Sequence, residues 1–113
     1  MKDGHAVYMN KFIKNPSKPQ LEIFKMVKEV YPSAVLNFPF AAKSGKHYSL
    51  DIVIPETGVA IEYDGSHWHL DPEKDVIRQR DCEISGLRFI RFADRIPPQN
   101  ELIESIERIV LCT

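Results

Sequence analysis

The chain has 113 residues, 43% of them apolar and 27% charged, enough for one compact domain and too few for a second core of ordinary size. That composition excludes global disorder and collagen-like repeats; no apolar run approaches the roughly 18 residues of a membrane span, and Met1–Lys14 lacks a secretory apolar block, so a cytoplasmic location is expected. The net charge of −1 hides an asymmetry, +5 over residues 1–50 and −6 over 51–113, which reads either as a polyanion-binding face beside a cation site or as an ordinary mixed surface.

Residues 1–16 have no sustained periodicity and end at Asn15-Pro16, so they read as an N-terminal tail or the end of a linker, with the domain spanning 17–113. Ser17 and Gln20 form a capping-box pattern, and Leu21, Phe24, Val27 and Val30 recur at helical spacing, which predicts a helix over 18–30. Three β-rich runs follow, Ala34–Phe40, His47–Ile54 and Gly58–Tyr63, separated by two turn-like segments and expected to form an antiparallel meander. Asp71-Pro72-Glu73 is a strong helix start and Gly86 a stop, giving a second helix over 72–85. Leu87–Phe92 then reads as a strand, and Leu102, Ile103, Ile106, Ile109 and Val110 as the apolar stripe of a closing helix. The order is αβββαβα, an α/β (α+β) fold with a central mixed sheet flanked by helices. Cys82 and Cys112 fit neither a disulfide framework nor a metal cluster and read as reduced thiols.

The chemistry concentrates around Ile61–His69. In a strand over 58–64, alternation puts Val59, Ile61 and Tyr63 on one face and Glu62 and Asp64 on the other. Asp51 sits among Leu50, Ile52, Val53 and Ile54, where a lone charge is costly unless paired or metal-bound. The tight turn through Pro55 and Gly58 brings it beside Glu62 or Asp64. Acids on adjacent strands repel unless something positive joins them, either a divalent cation, for which oxygen ligands are suited, or neighbouring Lys and Arg. His67 and His69 flank Trp68 after a glycine turn; either histidine is able to activate water or to stand as an exposed loop residue, and Trp68 to pack or to stack on a base. On the second helix Asp75, Arg78, Gln79 and Cys82 share one side, while Val76, Ile77, Arg80 and Ile84 lie largely on another. Asp75 serves either the helix dipole or a nearby imidazole, and Glu22 is a first-turn acid of the first helix.

Asp51 followed by Glu62-x-Asp64 within this element order resembles the PD-(D/E)XK nuclease fold, with Asp64 standing where that motif has its lysine. Glu62-Tyr63-Asp64-Gly65-Ser66-His67-Trp68-His69, Asp75-x-x-Arg78 and Gly86–Phe92 resemble the very-short-patch-repair (Vsr) endonucleases. The set Glu22, Asp51, His67 or His69, and Asp75 is similar to the EDxHD phage homing endonucleases. The resemblance covers about residues 17–95. It implies a Mg²⁺-dependent endodeoxyribonuclease, with Mn²⁺ as an alternative ion, acting on double-stranded DNA in a bacterial or phage-infected cell. Asp51 is then a direct metal ligand, with Glu62 or Asp64 completing the site; His69 or His67 is the base, Asp75 its supporting acid, Glu22 an accessory carboxylate and Trp68 an intercalator. Lys43, Lys46, Arg78 and Arg80 are the expected phosphate contacts. The zinc-ligand cysteines of the repair enzymes have no counterpart here, which favours the homing branch over a mismatch nickase; a non-catalytic DNA-binding module on a degenerate nuclease fold is the other reading. A domain this small needs a homodimer or an additional DNA-binding domain to recognise a long site.

Overall fold

A computed structural model describes residues 16–64 and 72–112. The expected tail over residues 1–15, the segment Gly65–Asp71 and Thr113 lie outside the described residues. The elements run in the order α1 (Lys18–Val30), β1 (Val35–Ala41), β2 (His47–Ile54), β3 (Val59–Asp64), α2 (Pro72–Ile84), β4 (Arg88–Ala93) and α3 (Gln99–Leu111). They build a mixed α+β domain around one four-stranded sheet in the order β1-β2-β3-β4. The first three strands are antiparallel neighbours, and β4 runs parallel to β3 with Glu62 opposite Arg91 and Asp64 opposite Ala93. Joining two parallel neighbours requires a crossover, and α2 supplies it. Among the described residues no helix is long and apolar enough to cross a membrane.

Local chemistry sets the element ends. The Ser17 hydroxyl accepts from the Gln20 amide while the Gln20 side chain accepts from the Ser17 amide, completing the capping box of α1. At the end of α2, the Gly86 amide donates to the Glu83 carbonyl and the Leu87 amide to the Cys82 carbonyl, a Schellman arrangement in which Gly86 takes φ +111°. Strands β1, β3 and β4 each start one residue later than the sequence pattern predicts, because the amides of Ala34, Gly58 and Leu87 are committed to Tyr31, Ile54 and Cys82.

Helices α1 and α3 cover one side of the sheet. There Ile23, Val27, Ile52, Ile54, Val59, Ile61, Leu102 and Ile106 form an aliphatic core, each burial of that size contributing about 1.5–3 kcal/mol. Helix α2 covers the other side over a smaller cluster of Leu50, Val53, Ala60, Cys82 and Leu87.

The hairpin β1–β2 does not keep one alternation along its length. Leu36, Ile52 and Ile54 pack with the α1/α3 core, whereas Phe38, Phe40, Tyr48 and Leu50, of the same parity, pack with the α2 cluster. The facing inverts at Asn37 and Asp51, and Asn37 has a left-handed backbone, φ +52°, a conformation that asparagine tolerates better than most side chains. The distal half of the hairpin is thereby carried to the α2 side. Its turn is tied there by Asp81, which accepts from the Ser44 hydroxyl at 2.6 Å and the Tyr48 hydroxyl at 2.8 Å, and by the Ser85 hydroxyl, which accepts from the Lys43 amide at 2.9 Å.

Candidate functional site

The inversion point is also where the acids meet. The β2–β3 pairing runs from Ile54 opposite Val59 to Ile52 opposite Ile61 and goes no further toward the β3 end. Beyond it two carboxylates bridge the strands instead. The Asp51 amide donates to Glu62 Oε2 at 2.9 Å, and the Tyr63 amide donates to Asp51 Oδ2 at 2.9 Å. Each acid thus holds a backbone N–H of the opposite strand, which fixes both carboxylates side by side. Glu62 is 4% exposed, the one buried charged residue among those described, and burying an acid this deeply requires a partner. Arg78 from α2 provides it, its guanidinium 2.5 Å from Glu62 Oε1.

A second acid–base group adjoins the first. Arg91 of β4 donates to Asp64 Oδ1 at 2.9 Å and Oδ2 at 3.1 Å, and its Nε donates to Gln79 at 2.6 Å. Asp75 of α2 stands between the two guanidinium groups, 3.6 Å from Arg78 and 3.4 Å from Arg91. Three carboxylates therefore share two guanidinium groups, and Asp51 lies beside them against Glu62.

Asp51 feels its acidic neighbours. Burial, then the negative charge of Glu62 and, more weakly, that of Asp64 push its carboxyl up to about 6, against the opposing pull of the Tyr63 amide and Arg78. For Arg78, burial works against the charged form, but Glu62 and Asp75 outweigh it and hold the guanidinium above its ordinary value. Asp81 is lowered instead, by the Ser44 and Tyr48 hydroxyls that donate to it. Burial pushes the Cys82 thiol up to about 11, so it behaves as a small core side chain rather than a nucleophile.

Of the residues singled out from sequence, the structure joins Asp51, Glu62 and Arg78 directly, and draws Asp64 and Asp75 beside them through Arg91. Glu22 is exposed on α1, which packs on the other side of the sheet, and no hydrogen bond or ion pair links it to these acids. Lys43 and Lys46 are exposed in the hairpin turn on the α2 side, and Arg80 is exposed on the outward face of α2. His67, Trp68 and His69, together with Asp71, expected from sequence to cap the second helix, lie outside the described residues. Among the described residues, no group of three or more His, Cys, Asp and Glu side chains is arranged to hold a metal ion. Arg91 is the member of the cluster that the sequence pattern did not single out. The two arginines interrupting the apolar run Leu87–Phe92 were the available signal, but only the parallel register with β3 sets Arg91 opposite Glu62 and beside Asp64.

As chemistry, the site is an oxygen-rich, partly buried carboxylate pair held where the β2–β3 pairing ends, with guanidinium groups on one side. The chain matches no family model, no curated protein and no solved structure.

Proposed function

We propose that the chain is a metal-dependent DNA endonuclease with a PD-(D/E)XK-like core, the catalytic part of a homing-type enzyme. The observation that carries this reading is the Asp51–Glu62 pair, two carboxylates locked where the β2–β3 pairing ends, Glu62 by the Asp51 amide and Asp51 by the Tyr63 amide. The cost of holding Asp51 there, seen in its raised pKa, is the cost of a site arranged for a cation rather than for stability.

The donor set fits a hard divalent ion: carboxylate oxygens alone. Asp51 would hold Mg²⁺ or Mn²⁺, with Glu62 or Asp64 completing the protein ligands. When bound, the ion supplies charge stabilisation at the phosphoryl oxygens and a more acidic bound water. The chain's own residues do the rest. The Tyr63 amide fixes the Asp51 carboxylate, and Arg78 holds Glu62 and is itself steadied by Asp75. Lys43 and Lys46 attract the phosphate backbone without reading sequence. By the sequence resemblance, His69 or His67 takes the proton of the attacking water, and Trp68 stacks into the duplex.

The test is cleavage of supercoiled plasmid by the purified chain with Mg²⁺, Mn²⁺ or EDTA. Conversion to open-circle or linear DNA in either metal, reduced at least ~100-fold by Asp51→Ala, supports the reading. The Glu62–Arg78 and Asp64–Arg91 ion pairs favour a second one, a DNA-binding module whose acids are neutralised by arginine alone. That module binds duplex equally with and without EDTA and cleaves in neither metal.

A further inference from the structure

Helix α2 presents an outward face that its own fold leaves uncovered. Helices α1 and α3 each bury two aliphatic residues, but the one buried residue of α2 is Cys82. Three of its aliphatic side chains point away from the sheet: Val76 is 58% exposed, Ile77 60% and Ile84 68%. Glu73 and Arg80 flank Val76 and Ile77 at i, i+3, i+4 and i+7 spacing, so the four form a single stripe. Both charged residues are exposed, and neither takes part in any hydrogen bond or ion pair among the described residues.

That stripe is complementary to itself. When two copies of α2 lie antiparallel about a two-fold axis passing between Val76 and Ile77, Val76 of one copy meets Ile77 of the other. The same operation sets Glu73 opposite Arg80 on both sides of the axis. An isologous contact of this kind needs each patch to match its own inverse, and an acid and a base equidistant from an apolar centre satisfy that condition. We propose that the outward face of α2 is a self-association surface, occupied by the α2 of a second copy of this chain. The apolar centre supplies attraction, and the paired charges supply direction and register. Three side chains fall short of the roughly 800 Å² per partner of a stable interface, so the dimer is a weak one that forms with concentration. The inward face of the same helix carries Arg78 and Asp75, so the contact draws two acid clusters into one assembly. The proposal does not depend on whether those clusters cleave DNA.

Sedimentation velocity on the full 113-residue chain over a range of concentrations, without DNA, tests it. The wild type shifts toward a dimer as concentration rises, and Ile77→Asp stays monomeric. Glu73→Arg and Arg80→Glu, each of which sets like charges against one another at both ends of the contact, weaken association about 10-fold. The double variant E73R/R80E restores the pairing in reverse and returns to within about threefold of wild type. The three substituted positions, Glu73, Ile77 and Arg80, have their side chains in solvent, so the variants leave the fold intact, which circular dichroism melts verify. A wild type that is monomeric at every concentration overturns the proposal. So does a double variant as weak as the singles, because rescue is expected of a second copy and not of a different protein, a duplex or another segment of the chain.

Discussion

On the side of the sheet covered by α1 and α3, nine buried residues, all aliphatic, pack together under a rim of partly buried hydrophobic side chains. On the side covered by α2, a smaller cluster of five buried residues shares the space with Asp51, Glu62, Asp64, Asp75, Arg78 and Arg91. The difference teaches where stability is made and where it is given up. A layer that supplies aliphatic burial allows its opposite layer to hold groups that cost free energy, which is the usual relation between a core and a functional site.

The largest expected effect lies in the first layer. Ile106→Ala removes a fully buried side chain and is expected to cost about 2–5 kcal/mol in urea unfolding; a smaller loss would mean that the layer is less tightly packed than its burial implies. Next, Arg78→Met leaves Glu62 buried without its cation and should cost about 2–3 kcal/mol at pH 8, discounted because Arg78 is 24% exposed. Adding Glu62→Gln should recover more than half of that, measured in the same way.

Asp51→Asn carries the opposite sign. The folded protein holds the Asp51 proton more tightly than the unfolded chain, since the group titrates at about 6 instead of 3.8. Its contribution to stability is therefore complete below about pH 4, declines as pH rises toward 6 and stays lost above. The asparagine variant should be more stable than wild type by about 1–3 kcal/mol at pH 8 in EDTA, with the difference vanishing near pH 4. Urea titrations across that range decide it, and a wild type that gains stability from pH 4 to 6 relative to the variant would reverse the assignment of Asp51 as the strained member. The smallest effect belongs to Ser44→Ala. It removes one hydroxyl from Asp81 and should speed amide exchange in the hairpin turn several-fold while leaving global unfolding unchanged.

Much of the first layer was legible in sequence, and less of the second. Helix α1 has the bounds that its capping box and apolar spacing imply, and β2 has those implied by its flanking turns, because caps, turns and period are local properties. The division of α2 into an inward side with Asp75, Arg78, Gln79 and Cys82 and an outward side with Val76, Ile77, Arg80 and Ile84 was likewise readable from spacing. Asp51 was recognisable as a misplaced charge. What alternation did not reveal is the inversion at Asn37 and Asp51, since a left-handed asparagine leaves no mark on a two-residue pattern. Nor did it reveal which arginine meets which acid. Arg78 reaches Glu62 over 16 positions and Arg91 reaches Asp64 over 27, and pairings at that separation follow from register and helix docking rather than from composition.

The crossed bonds between β2 and β3 have a practical consequence. The amides of Asp51 and Tyr63 donate to carboxylates rather than to carbonyls, so the resonance frequencies of two main-chain protons follow the electron density on two side chains. Protonation, a bound cation or a displaced Arg78 would each draw on that density and move those two signals, while the amides of the neighbouring ladder from Ile52 to Ile54 stay in place. The strand break is thus a gauge built into the backbone, readable by nuclear magnetic resonance without any label at the acids themselves.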